Sequence, residues 1–270
     1  MVTECMSIGK TRAIDKLNDK LKKGIAVIGT HISMPDNSIT EMMGEIGFDF
    51  VWVDWEHTPM DRGQIQNHLI AARAAGIAGF VRIPWNDPVL VKPVLEMGPD
   101  GIVFPMIKTA ADARNAVTSC LYPPKGIRGY GPKRANRYGM MQNDEYLAQA
   151  ESSFWRIMQI EHIEAVGNLK EILRVDGVDT IVVGPNDLSG SVGLITQTWH
   201  PDVMKLMDEI GEICREAGKP FGVSMGWQPQ AVAEWNRRGI SWIACGGDTG
   251  YLMEAGMNTL RGVQDIIGGV

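Results

Sequence analysis

Glu161 closes one apolar run of this chain, Trp155–Glu161, and Asp187 follows the Gly184-Pro185 turn that closes the next, Thr180–Gly184. If the two runs are neighbouring strands, the carboxylates form a pair suited to a hard divalent cation. Such an ion keeps waters in its remaining positions, and a small oxyacid could displace them. Strand alternation puts Gln159 on the same side as Glu161, with Ile160 opposite. A Glu that points inward needs a counter-charge, because a lone carboxylate pays a large desolvation cost. An arginine would answer that need as well as a metal, and Asp187 alone could cap a helix.

Further polar residues fall where other apolar runs end. Arg82 ends Gly79–Arg82, and its guanidinium suits a carboxylate or a developing enolate oxygen. An ion pair from Arg82 to Asp54 or Glu161 fits the same spacing. Asp54 ends Phe50–Asp54 and leads into Glu56 and His57, and a histidine near neutral pH is the default acid/base group. Thr30 and His31 follow the first run, and Ser224 ends Phe221–Ser224.

The runs that position these residues recur with amphipathic stretches between them. Gly24–Thr30, Phe50–Asp54, Gly79–Arg82, Gly101–Pro105, Trp155–Glu161, Thr180–Gly184, Phe221–Ser224 and Trp242–Gly246 are the predicted strands. Ile65, Leu69 and Ala72 before Gly76, and Val203, Leu206, Met207 and Ile210 before Gly218, have helical spacing. His68 on the first of these helices reads as a surface or partly satisfied residue. Eight βα units in 270 residues predict a single α/β domain over 1–270, a closed (β/α)8 TIM barrel. In that fold the C-terminal strand ends carry the chemistry, and no GxGxxG motif argues for a dinucleotide fold. The segment Tyr122–Glu145 is the longest without strand or helix pattern, and its Lys125, Arg128, Lys133, Arg134 and Arg137 read as subunit contacts or as a site for a dianion.

A net charge of −6 leaves no basic footprint for nucleic acid or anionic lipid. The apolar runs are strand-length, and Met1–Arg12 lacks a signal-peptide core, so the chain reads as cytoplasmic, with no membrane partner. Cys5, Cys120, Cys214 and Cys245 form no CxxC or Cys/His cluster and read as reduced, with Cys245 a packing residue.

Together, Gly47–His57, Arg82–Asp87, Pro123–Gly129, Gln159–Glu161 and Gly184–Ser189 resemble the HpcH/HpaI class II pyruvate aldolases, and more distantly the citrate lyase β-subunit superfamily. The resemblance spans nearly the whole chain. It implies a TIM barrel with its C-terminal helix exchanged between subunits of a homo-oligomer, a hexamer built as a trimer of dimers. It also implies Mg²⁺, Mn²⁺ or Co²⁺ on Glu161 and Asp187, with pyruvate and an aldehyde as substrates. Arg82, Gln159, Pro185, Asn186, Asp187 and Ser224 would bind substrate, and His57, Arg82, Glu96 and Asp54 would be catalytic, His57 as acid/base. The predicted strand interiors hold no lysine for an imine route. Departures from the family pattern are Glu96 in Leu95-Glu96-Met97-Gly98, where Asp is usual, Asn186 in place of Ala, and Thr30-His31-Ile32-Ser33 in place of a more apolar stretch. They point to a changed acceptor, or to a changed reaction such as decarboxylation of an oxaloacetate-type 2-oxo acid. A CoA-thioester lyase and a non-catalytic barrel are the remaining alternatives.

Overall fold

The computed structural model describes residues 12–268; Cys5 and the Met1–Arg12 stretch, save its last residue, lie outside them. Eight parallel strands pair in chain order and close on themselves: β1 Val27–Ile32, β2 Phe50–Asp54, β3 Ala78–Arg82, β4 Gly101–Phe104, β5 Trp155–Ile160, β6 Thr180–Val183, β7 Phe221–Met225 and β8 Trp242–Gly247. This is the expected (β/α)8 barrel. The first strand is displaced from its expected place: it starts at Val27 and runs to Ile32, so His31 is a strand residue, in register with Trp52 on β2. Gly24 adopts a left-handed turn ahead of it (φ +69°).

Alternation explains how the barrel is filled. Inward positions at the N-terminal end carry Phe50, Phe80, Trp155 and Trp242, whose rings meet at centroid distances of 4.5–6.3 Å. Helix Ala13–Lys22 closes that end with buried Ile14 and Leu17. Glycines on adjacent strands make room for the rings. A Cβ on Gly222 would lie 2.2 Å from the Trp242 indole. Gly222→Ala is therefore expected to cost about 1–3 kcal/mol by overpacking, seen as a lower urea midpoint at unchanged slope. The outward positions, such as Val51, Val53, Val81 and Ile102, bury against the helices in a second apolar layer. With one end plugged by aromatics, where Thr180 accepts from the Trp242 indole, the charged inward positions gather at the other.

The helices start and stop where the sequence says. Asp61 and Gln64 form a capping box for Arg62–Ala75, which ends at left-handed Gly76, and Gly218 ends Pro201–Ala217 likewise. His68 corrects its expectation: it is fully buried, and its Nδ1 shares a 2.8 Å hydrogen bond with Thr40 Oγ1. Nothing in the local pattern marks it, because the contact comes from the preceding helix.

The basic cluster in Tyr122–Glu145 is likewise corrected. Arg128 is buried against Glu96 and Tyr146. Arg134, also buried, donates to the carbonyls of Met97 and Gly98, just past the end of helix Pro88–Glu96, and to that of Leu69 inside helix Arg62–Ala75. These two cations pin the loop to the barrel and are not available to a dianion. Burial pushes the thiols of Cys120 and Cys214 up to about 12, and that of half-buried Cys245 upward.

The last helix, Asp248–Ile267, buries only its first residue. Leu252, Met253, Met257, Leu260, Val263 and Ile266 stand exposed along it. Among the described residues no helix is long and apolar enough to cross a membrane.

Candidate active site

Asp54 and Arg82 are register partners at the ends of β2 and β3, so the backbone itself brings them together. Arg82 donates from Nε to Asp54 Oδ1 at 2.9 Å and from Nη2 to Oδ2 at 2.7 Å, a bidentate pair with side chains 12% and 11% exposed. Burial pushes the Asp54 carboxyl up, but the Arg82 hydrogen bonds and charge outweigh it and hold the pKa below the usual value. The guanidinium also stacks over Trp52, 5.5 Å from the ring centroid. Its Nη1 lies 3.1 Å from Glu56 Oε2 without hydrogen-bond alignment, which leaves that buried oxygen unbonded.

Glu161, one residue past β5, is 3% exposed. Its Oε1 accepts the Met106 N–H at 2.7 Å and its Oε2 accepts from Gln159 Nε2, so Gln159 and Glu161 do share a side. Among the described residues no cationic side chain pairs with it. Burial, followed by the charges of Glu56 and Asp187, raises the Glu161 carboxyl to about 7, although the Met106 N–H pulls it down. Burial likewise raises Glu56 to about 6, with Arg82 opposing and Asp54 and Asp187 adding to the rise. Three carboxylates thus repel one another in one small space.

One residue here was missed from the sequence, and a second, Gly184, was read only as part of a turn. Met106 carries a left-handed backbone (φ 55°) that aims its N–H at Glu161, and only the Phe104-Pro105 turn before it hints at this. Gly184 is required by proximity, since a Cβ there would stand 2.8 Å from Glu161 Oε2.

A cavity of about 280 Å³ opens at this end of the barrel, lined by Arg82, Gln159, Asp187, His57, Ser224 and His31, with Pro185 and Asn186 on its rim. A second cavity, of about 110 Å³, lies behind β7 and shares Pro185, Asn186 and Ser224 with the first. The first holds the acid and base groups. Asn186 and Asp187 are exposed in the first turn of the short helix Pro185–Gly190.

His57 is well exposed, with Nε2 3.6 Å from Glu56 Oε2. Glu96 is elsewhere: its Oε1 accepts from Arg128 at 3.1 Å, and no hydrogen bond or ion pair joins it to His57. The geometry of this chain puts Glu56, not Glu96, beside the His57 imidazole.

His31 is held on both ring nitrogens, Nδ1 at 2.7 Å from the Gly246 carbonyl and Nε2 at 2.8 Å from Ser224 Oγ. Burial pushes its pKa down, the Gly246 carbonyl resists, Arg82 adds to the fall, and Asp54 and Asp248 oppose it. A histidine kept neutral in the fold but free to protonate in the unfolded chain stabilises above about pH 6.5. That stability is lost as the pH falls. Between pH 7 and pH 5 the melting temperature of the native protein is therefore expected to drop further than that of His31→Gln, as thermal denaturation at stepped pH would show.

The donors fit a cation. Glu161, Asp187 and the buried, unbonded Gln159 Oε1 are hard oxygens of the kind Mg²⁺ and Mn²⁺ take, and their mutual repulsion is what a cation relieves. Among the described residues no cage of three or more His, Cys, Asp or Glu ligands is preformed.

Fold and site define a (β/α)8-barrel enzyme with an acidic mouth. A family model described as HpcH/HpaI aldolase/citrate lyase matches residues 28–255, and the chain belongs to that family. It is thus a lyase of the aldolase and citrate lyase type. It is 36% identical over 234 residues to a 2-dehydro-3,6-dideoxy-6-sulfogluconate aldolase of Pseudomonas putida, covering 86% of this chain and 91% of that one. It is also 36% identical over 234 residues to a 4-hydroxy-2-oxo-heptane-1,7-dioate aldolase of Salmonella paratyphi C, covering 87% and 89%. The crystal structure of an HpcH/HpaI aldolase/citrate lyase family protein from Burkholderia cenocepacia superposes with a TM-score of 0.86 at 30% identity, over 92% of this chain and 99% of that one.

Proposed function

We propose that this protein makes or breaks the carbon–carbon bond of a 2-oxo-4-hydroxy acid, using a divalent cation held by Glu161 and Asp187. The observation that carries the proposal is the Glu161 carboxylate, buried with no cationic partner among the described residues and pushed up to about 7 by burial and by the acids around it. A fold that invests in such a group keeps it for a ligand of opposite charge. The printed names of the two aldolase relatives support the substrate class.

When bound, the cation supplies Lewis-acid polarisation of the 2-oxo group, which lowers the cost of drawing a proton from the neighbouring carbon. The rest falls to the chain. Arg82, fixed by Asp54 and Trp52, offers its guanidinium to the enolate oxygen of pyruvate. The N–H groups of Asn186 and Asp187, at the first turn after Gly184, take the pyruvate carboxylate. His57, on the open side of the cavity, exchanges the proton of the aldehyde-derived hydroxyl, with Glu56 Oε2 3.6 Å from its Nε2. Among the described residues no lysine lines the cavity, which supports the cation route over an imine route.

The exposed apolar stripe on Asp248–Ile267 supports an assembly in which a second copy covers that helix. Sedimentation of the full chain is expected to give an oligomer, and Met257→Glu with Leu260→Glu to shift it toward monomer; a native monomer would refute the assembly.

The function is tested by mixing the protein with pyruvate, an aldehyde and Mn²⁺, Mg²⁺ or Co²⁺, with mass spectrometry of the product. A 2-oxo-4-hydroxy acid that vanishes with chelator and returns with metal is the expected result. Release of CO₂ from oxaloacetate without condensation would instead make it a decarboxylase, and cleavage of a CoA thioester would place it with the citrate lyases. Failure to bind Mn²⁺ or Mg²⁺ in calorimetry would leave a barrel without this chemistry.

A further inference from the structure

His31 and Ser224 belong to strands that do not pair with each other, β1 and β7, yet their side chains meet across the mouth of the barrel. The contact is built from several sides. Gly246 presents its carbonyl from a left-handed backbone (φ +71°), and a Cβ there would lie 2.4 Å from the Tyr251 hydroxyl. The β1–β8 register shifts between Gly29 and His31, at the point where that carbonyl reaches the imidazole. The His31 ring also rests on Trp52, at 5.4 Å between centroids.

The proton positions follow from the partners. A carbonyl only accepts, so His31 Nδ1 carries the hydrogen. In the neutral ring Nε2 is then an acceptor, and Ser224 must donate its O–H to it. That leaves the Ser224 oxygen facing the cavity with lone pairs and no hydrogen to give. Donation to His31 also polarises that oxygen into a better acceptor.

We propose that His31 and Ser224 together select an aldehyde partner bearing an uncharged hydroxyl group. The hydroxyl donates to Ser224 Oγ, and Asn186 on the same rim can return a hydrogen bond to its oxygen. A carboxylate in that place would face the Ser224 lone pairs, with only the neutral Asn186 amide to donate to it. Arg82, the one Lys or Arg among the described residues lining the cavity, is held bidentate by Asp54 and, on the aldol reading, is taken up by the enolate oxygen. Ser224 touches the substrate. His31 acts through Ser224 and is a positioning residue. The inference rests on the aldol reading above and names the acceptor class for it.

The test compares three aldehydes with pyruvate and Mn²⁺: 2-hydroxypropanal, propanal of the same chain length, and succinic semialdehyde. A single hydrogen bond to a neutral partner predicts a kcat/KM for the hydroxyaldehyde roughly tenfold above that for propanal. The difference should lie mainly in KM, and succinic semialdehyde should be the poorest substrate. Ser224→Ala and Ser224→Cys should bring the hydroxyaldehyde-to-propanal ratio close to one. His31→Phe should do so with Ser224 intact, while His31→Gln, whose amide oxygen can accept from Ser224, should keep part of it. A native ratio at or below one, or one that survives Ser224→Ala, overturns the inference. Methyl-proton exchange of pyruvate alone separates the two levels. Exchange without acceptor preference refutes only this inference, whereas absence of exchange removes the enolate reading and this inference with it.

Discussion

Glu161→Gln is expected to cut Mn²⁺-dependent turnover roughly 10³-fold while raising the melting temperature of the metal-free protein at pH 8. The two effects share one cause. In the fold the Glu161 carboxyl titrates near 7, against an ordinary 4.5, because burial and the charges of Glu56 and Asp187 disfavour its ionised form. An acid whose pKa is raised on folding binds its proton more tightly in the native state. Stability is then greatest below about pH 4.5, falls as the pH rises through the window from 4.5 to about 7, and stays reduced above it. At 1.36 kcal/mol per pKa unit the cost at pH 8 is about 3 kcal/mol.

Glutamine has the same shape without the charge. It keeps the Met106 N–H bond, and Gln159 can turn its amide so that Oε1, unbonded in the native protein, accepts from the new NH₂ group. Mn²⁺ should raise the melting temperature of the native protein and leave that of the variant unmoved. Losing several kcal/mol of charge stabilisation lowers kcat/KM roughly 10³-fold. A metal-free variant less stable than the native protein at pH 8 would show that Glu161 is held by contacts other than those described.

Arg82→Ala is expected to lose both activity and stability. Removing the guanidinium takes away the donor proposed for the enolate oxygen, a loss of roughly 10²–10³ in kcat. It also strands Asp54, a buried carboxylate whose low pKa depends on Arg82. Breaking one side of a buried pair costs about 3–5 kcal/mol, which denaturant unfolding near neutral pH would register. The sign of the pH effect reverses with the partner. With Arg82 present, Asp54 contributes stability above its ordinary pKa of 3.8, lost only as the pH falls through its lower folded value. In Arg82→Ala burial, the largest influence on Asp54, is opposed only by the Glu56 N–H and the His57 charge, so acid should stabilise the variant relative to neutral pH. Arg82→Lys keeps the charge without the fork and should fall between the two.

Much of this site was legible because it lies on strands. Period-two alternation placed Gln159 with Glu161, and the order of βα units placed Asp54 beside Arg82, since neighbouring strands in a barrel pair in register. Loop and long-range features were not legible. The His31–Ser224 contact joins residues 193 positions apart on unpaired strands, and its carbonyl anchor depends on a bulge that no local pattern announces. Arg128 and Arg134 looked like surface charge because they stand in a Gly- and Pro-rich loop, yet the loop folds inward, pairing Arg128 with Glu96 and setting Arg134 on the carbonyls after helix Pro88–Glu96. Glu96 stands where the family pattern has Asp, but it pairs with Arg128, and the group beside His57 is its neighbour in sequence, Glu56.

The most direct measurement of the central claim needs no acceptor at all. The protein is incubated with pyruvate and Mn²⁺ in D₂O, and the methyl protons are followed by NMR. The Glu161 and Asp187 pair, with Arg82 across from it, predicts exchange of the methyl protons for deuterium that stops on chelation and is lost in Glu161→Gln. Pyruvate that keeps its methyl protons in the presence of the native protein and Mn²⁺ would contradict the account.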